Sequence, residues 1–253
     1  MELHHEGNVI YRSLPRENME INKFWLCDEG RFHFNDIQRE DRWIDPCVQD
    51  GIGARSTDWA TALDVARATL GSKKIAVLAG TDLTLEEAKQ LQDASSRIFG
   101  GAPLFHFGTP GIETVSQDGP ADPILKRKSK TSNLKRFEKL GIAPFGKLPA
   151  GIEAVLVVRG GRATVPELKG VSVVGLGVFN KPEVENFVAI LPGLSFAEKD
   201  GTIVNYEGRE QKVKRALNPL GQSKALSEVL MLWMNSKGTT PIKRSGASAE
   251  GVI

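Results

Sequence analysis

The chain has 253 residues, 40% of them hydrophobic and 25% charged, and its 33 basic and 31 acidic side chains leave a formal net charge of +2. That length supports a substantial core in one or two domains, and the balanced charge neither demands nor excludes an anionic partner. No apolar run is long enough to span a bilayer: the longest, Ala154 to Val158 and Val171 to Val174, are strand-sized. Two cysteines, Cys27 and Cys47, argue against a disulfide framework. The amino terminus shows no basic patch followed by an apolar stretch, so the expected compartment is reducing cytoplasm.

In chain order, Asn8 to Arg12 predicts a short strand, interrupted by Pro15, which lacks an amide donor. The segment to about Pro46 reads as irregular. Its Phe24, Trp25, Phe32, Phe34 and Trp43 suit an aromatic-anchored arm lying across a neighbouring surface, or packing on its own domain. From Ser56 helix and strand signals alternate, which predicts a parallel sheet covered by helices. Ser56, Thr57 or Asp58 can cap a helix to Leu70 with Trp59, Leu63, Ala66 and Leu70 on one stripe, ended by Gly71. Lys74 to Ala79 predicts a buried strand, and Thr84 with Glu87 a capping box for a helix from Leu85 to Phe99. Leu104 to Phe107 is the next strand, and Gly108 to Ala150 reads as loop with a short helix at Asn133 to Leu140.

Ala154 to Val158 and Val171 to Val174 are strands β-branched enough for a sheet covered on both faces, and Phe187 to Leu191 is another strand, closed by Pro192 and Gly193. The Asp200-Gly201 turn signal predicts a hairpin between Leu194 to Ala197 and Thr202 to Tyr206. A last helix spans Lys224 to Asn235, and Ser236 to Ile253 reads as a mobile tail. The fold class is thus α/β: a Rossmann-like, mostly parallel sheet with helices on both faces.

Few residues carry chemistry. His4 and His5 with Glu6 lack the same-face spacing of a helical zinc motif, and His33 and His106 stand apart from any carboxylate pattern. Lys126, Arg127, Lys128, Lys130, Lys135, Arg136 and Lys139 form a basic cluster with Phe137 as its only aromatic. Without interleaved stacking rings it reads as a solvated face or a dock for an acidic subunit, and no nucleic acid is expected. Gly175-Leu176-Gly177 is a partial dinucleotide pattern, with Asn180 in place of the third glycine. No nucleophile elbow, phosphate-binding loop or paired zinc cysteines occur.

The stretch Asn22 to Phe32 around Cys27 resembles the segment carrying the last cluster cysteine in the large iron-sulfur (G-type) subunit of NADH-quinone oxidoreductase and its molybdopterin oxidoreductase relatives. Pro15-Arg16-Glu17-Asn18 through Arg31 belongs to that match. Asp122 to Gly141 is a second, less specific stretch, with a Ser-Asn-Leu at its centre. The third and strongest is Leu191 to Thr202 with Asn205, Glu207, Gly208, Arg209 and Gln211. There Asp200-Gly201 supplies a turn, Gly208 permits a close backbone approach, and Glu207 and Arg209 can fix a strap.

The resemblance implies Cys27 as a metal ligand, a thiolate to iron. A [4Fe-4S] cluster needs four thiolates, so this chain alone is expected to bind no cofactor, and a cluster requires ligands from upstream sequence or a partner. Cys47 lies outside the match and reads as structural. Catalytic relatives place a Ser, Cys or selenocysteine ligand after an early strand, whereas the loop here is Gly80-Thr81-Asp82-Leu83-Thr84, so bound molybdopterin is not expected. The implied organisation is an irregular remnant of an iron-sulfur domain at 1–50, an α/β domain at 51–236 and a flexible tail at 237–253. The implied function is a non-catalytic scaffold or electron-relay part in the peripheral arm of a respiratory NADH-quinone oxidoreductase. It would have no active site of its own, with other subunits as partners and an indirect attachment to the inner face of the cell membrane. A fragment of a catalytic molybdopterin oxidoreductase, such as a formate dehydrogenase subunit, is the alternative.

Overall fold

Two local signals set the central layer, helix caps and β-branched runs. A computed structural model describes residues 1–51, 53–108, 131–184, 186–205 and 207–235. The expected tail at 237–253, Lys126, Arg127, Lys128 and Lys130 of the basic cluster, and residues 122–130 of the second matched stretch lie outside these residues.

The chain opens with a hairpin of β1 (Glu2–Glu6) and β2 (Val9–Leu14), turned by Gly7 and Asn8 at φ +55° and +68°. Two positive φ values in sequence make the turn whose twist suits a hairpin. Only its second strand was expected. The short helices α1 (Asp28–Phe32) and α2 (Phe34–Ile37) follow, then the antiparallel pair β3 (Cys47–Gln49) and β4 (Ala54–Ser56). Next come α3 (Trp59–Gly71), β5 (Ile75–Gly80), α4 (Leu85–Arg97), β6 (Leu104–Phe107), α5 (Leu134–Lys139) and the two-residue β7 (Ala143–Pro144). The order ends with β8 (Ala154–Arg159), β9 (Ser172–Gly177), a 3₁₀ turn at Lys181–Val184, β10 (Phe187–Pro192), β11 (Gly201–Val204), β12 (Glu210–Val213) and α6 (Leu226–Asn235).

Eight strands form one sheet in the order β4-β3-β10-β9-β8-β5-β6-β7, parallel from β10 through β7. The α/β class with a mostly parallel sheet is borne out. Asp58 caps α3 by accepting from the Thr61 amide at 2.9 Å, and the capping box of α4 forms in both directions, at 2.8 Å and 3.2 Å. Such caps satisfy main-chain donors that the first helical turn leaves open.

The two faces are clothed differently. Leu63, Ala66 and Leu70 of α3, Ala88 and Leu91 of α4, Phe137 of α5 and Val229 of α6 pack on one face, over Val77, Leu156, Val174 and Leu191. On the other face Ala76, Leu78, Val155, Val157, Val173 and Ile190 meet Phe145, Leu148, Val165, Leu168 and Phe179, which lie in connections. Among the described residues, helices on both faces therefore give way to α-helices on one face and loops with a 3₁₀ turn on the other. Right-handed crossovers explain the split. The chain moves from β4 to β7 in one direction along the sheet and from β7 to β10 in the other, so the two sets of connections fall on opposite sides. The return connection from β8 to β9 holds Gly160, Gly161, Pro166 and Gly170, which oppose a helix.

The hairpin expected around Asp200-Gly201 does not form. β11 pairs instead with β12, Ile203 opposite Gln211. The reversal lies at Asn205, whose side-chain oxygen accepts from the amides of Glu207 at 3.0 Å and Arg209 at 2.8 Å. This side-chain mimic of a turn outcompetes the Asp-Gly signal because Asp200 is engaged elsewhere, accepting from the Arg215 amide at 2.8 Å. Gly208 is required for its φ of +91°. Among the described residues a side chain there would meet only Lys135, at 3.7 Å, so the expected close backbone approach is corrected to a conformational need.

Candidate functional site

Parallel sheets of this kind bind ligands in the crevice outside the carboxyl ends of two adjacent strands whose connections leave in opposite directions. Here those strands are β5 and β8. The loop after β8 points three main-chain donors into the crevice, and Asp82, two residues past β5, accepts all of them. Its Oδ1 takes the Gly160 amide at 2.9 Å, and its Oδ2 takes those of Arg162 at 2.6 Å and Ala163 at 2.9 Å.

The segment Gly193 to Val204 crosses the same edge as a strap. Lys199 bonds both oxygens of Glu87 at 2.8 Å, and Glu86 accepts from the Thr202 amide at 2.8 Å and hydroxyl at 2.6 Å, so the strap is tied to the first turn of α4. Farther along, Arg42 and Glu198 form an ion pair at 2.8 Å with side chains 1% and 0% exposed. The Arg42 guanidinium also donates to the carbonyls of Ile37 at 3.0 Å and Gly193 at 3.2 Å. Glu198 accepts from the amides of Ser195 at 2.7 Å and Leu220 at 3.0 Å. One buried knot therefore joins the amino-terminal arm, the end of β10 and the strap.

Two further side chains complete the edge. Arg159 is buried, donates to the carbonyls of Val178 at 2.8 Å and Ala163 at 2.9 Å, pairs with Glu183, and lies 4.5 Å from the Phe179 ring centroid. Gly177 must pass directly over Arg159's main chain with φ +135°, where a Cβ would collide with the Arg159 carbonyl. Gly175-Leu176-Gly177 is thus a packing device, not a nucleotide loop. Asn133, at φ +60° and 1% exposed, donates to the carbonyls of Thr81 and Leu83 and accepts from the Val204 amide at 2.6 Å.

The residues singled out from sequence fall in different places. Cys27 is exposed on the arm, just before α1, whereas Cys47 is buried on β3 and burial pushes its thiol up to about 11. Among the described residues no group of three or more His, Cys, Asp and Glu side chains could hold a metal ion. Cys27 brings one thiolate donor, which does not fit a four-thiolate cluster within the described part of the chain. His4 accepts from Arg12 at 3.1 Å on the hairpin surface. The buried His106 packs edge-on against Phe137. His33 alone reaches the carboxyl edge, stacked at 4.4 Å on Phe196 of the strap. Of the aromatic residues expected to anchor the arm, Phe34 is buried, while Phe24, Trp25 and Phe32 are exposed.

Burial, followed by the Arg162 cation, pushes the His33 imidazole down to about 3, against a smaller opposing pull from Asp82. Burial lowers His106 as well. In the unfolded chain an imidazole takes up a proton near pH 6.5, so between there and about pH 3 the unfolded state binds more protons. The stabilisation is complete above pH 6.5 and is lost as pH falls toward 3. The loss from His33 across that window is at most about 5 kcal/mol. His33→Phe, which keeps a ring on Phe196, should flatten the pH dependence of urea unfolding, and an unchanged slope would contradict this assignment.

Sequence reading missed Arg42, Asp82, Asn133 and Arg159 as determinants of this edge. Two of them carried a signal: Asn133 as the start of a helix within the matched Ser-Asn-Leu, and Arg159 as a charge closing a five-residue apolar run.

Residues 173–231, from β9 through the strap into α6, match the molybdopterin oxidoreductase family. This part of the chain resembles the molybdopterin oxidoreductases. Among curated relatives it is similar to the NADH-quinone oxidoreductase G chain of Streptomyces coelicolor, 38% identical over 88 residues, which cover 34% of this chain and 10% of that protein. The 75 kDa subunit of NADH-ubiquinone oxidoreductase from Reclinomonas americana is 22% identical over 131 residues, 50% of this chain and 19% of that protein. The corresponding G chain of Mycobacterium bovis is 32% identical over 91 residues, 34% of this chain and 11% of that protein. These matches span between a tenth and a fifth of the relatives' own lengths. The resemblance read from the sequence is borne out, and the family match includes the strap. In this molybdopterin-oxidoreductase-like body, the signature residues Gly193, Ser195, Glu198, Lys199 and Thr202 all supply strap or knot contacts.

Proposed function

We propose that the chain is a non-catalytic scaffold in the peripheral arm of an NADH-quinone oxidoreductase, holding neighbouring electron-carrying subunits in place. One observation carries this reading. The donors at the carboxyl edge, where sheets of this kind take their ligands, are answered by the chain's own Asp82, Glu86, Glu87 and Glu198. Among the described residues no helix is long and apolar enough to cross a membrane, so contact with the inner face of the cell membrane would run through partner subunits. The exposed Met19, Phe24, Trp25 and Phe32 lie on the arm that also carries the exposed Cys27. Apolar side chains grouped in this way suit burial by a partner subunit. Cys27 would offer its thiolate there to an iron-sulfur cluster completed by ligands from elsewhere.

The test is to tag the chain in its own cells, solubilise the membranes and purify. The expected result is co-purification of other respiratory subunits with NADH-dependent quinone reduction, and no stoichiometric molybdenum or extractable pterin. Cys27→Ser in the same complex should alter one iron-sulfur paramagnetic signal. Recovery of the chain without those subunits, or with a full complement of pterin, would overturn the scaffold reading.

A further inference from the structure

We infer that the loop Gly160 to Ala163 is an oxyanion-binding nest that Asp82 keeps closed, and that it takes a phosphate-class anion when this carboxylate is removed. The geometry is that of anion capture. Three amides from four consecutive residues converge on two oxygens at 2.6 to 2.9 Å, and Gly161 turns the main chain between them with φ +123°. Successive N–H groups in such a concavity bind anions without any side-chain donor. The nest sits at the switch point between β5 and β8, the place where parallel sheets meet their ligands.

The surroundings are shaped around the plug. A Cβ on Gly80 would stand 2.5 Å from the Asp82 carboxylate, and one on Gly160 would stand 2.8 Å from the Asp82 carbonyl. Those two glycines let the loops after β5 and β8 close on each other, so the carboxylate enters as a bound anion would. Arg162 adds positive charge, since it acts on His33 together with Asp82. An attached carboxylate competes at an effective concentration that a free anion in solution does not match. The nest of the intact chain is therefore occluded by one side chain.

The probe is inorganic phosphate, titrated to 50 mM at ionic strength matched with chloride, on the full chain and its variants. Phosphate stabilises folded proteins generally by exclusion from their surfaces, so the difference between variant and parent is the readout. Asp82→Ala should gain about 3 °C in its unfolding midpoint, saturably, beyond any change in the parent. The ¹⁵N-labelled variant should show phosphate-dependent shifts at Gly160, Arg162 and Ala163. Asp82→Asn, which keeps the plug's shape and loses its charge, should respond between the two. Equal phosphate responses in all three chains, or shifts spread over the surface, would mean an adventitious ion only and would overturn the inference. The same holds if Asp82→Ala fails to fold at every phosphate concentration and Asp82→Asn gains nothing. The outcome is independent of subunit membership, because it reads anion binding by the isolated chain.

Discussion

Arg42→Ala is expected to cost about 4 kcal/mol of folding stability, read as a fall in the urea midpoint at unchanged slope. The pair it breaks has almost no contact with solvent, 1% and 0% of its two side chains. Removing the cation strands the Glu198 charge in a low-dielectric interior and also releases the carbonyls of Ile37 and Gly193. Glu198→Gln should cost less, because a side-chain amide still accepts from Ser195 or Leu220 and can hydrogen-bond Arg42. The double variant Arg42→Met with Glu198→Leu should be more stable than the sum of the single losses, since neither charge is then left buried alone. A single-variant loss below about 1 kcal/mol would place the pair with solvated surface bridges and dissolve the knot.

Asn133→Ala should lower stability by about 3 kcal/mol. It leaves the Leu83 carbonyl and the Val204 amide without their side-chain partner, and the Thr81 carbonyl with the Ser132 hydroxyl alone of its two side-chain donors, in a site that is 1% exposed. It also places a Cβ-bearing residue without asparagine's local bonding at φ +60°. Asn133→Gly should recover about 1 kcal/mol of that loss, because glycine adopts this conformation freely. Asn133→Asp should do no better than alanine: one oxygen still serves Val204, but the other turns an acceptor toward two carbonyls. Equal stability of the alanine and glycine variants would show that hydrogen bonding alone sets the cost. Because Asn133 ties the loop before α4 to β11, these variants should loosen the strap first. Faster amide exchange at Thr202 and Val204 would report this.

Much of the body was legible because its signals are local. A capping residue followed three positions later by Glu87 marks the start of α4 whatever surrounds it, and the β-branched run from Ala154 marks β8. The strap was legible only by resemblance. Its hairpin was misplaced because Asp200-Gly201 is a sound turn signal that loses to Asn205 once Asp200 is drawn to Arg215.

By itself the sequence determined the caps, the strand runs, the α/β class and the kinship centred on Leu191 to Thr202, all of which rest on neighbours within a few positions. It also gives the number of cysteines as two. The tertiary structure alone decided which face each connection covers, that Asp82 answers amides some eighty residues away, and that Arg42 meets Glu198 across a separation of 156 residues. Those contacts depend on strand order, and strand order is set by the packing of the whole sheet. A carboxylate therefore reads the same in the sequence whether it is solvated or buried against three donors.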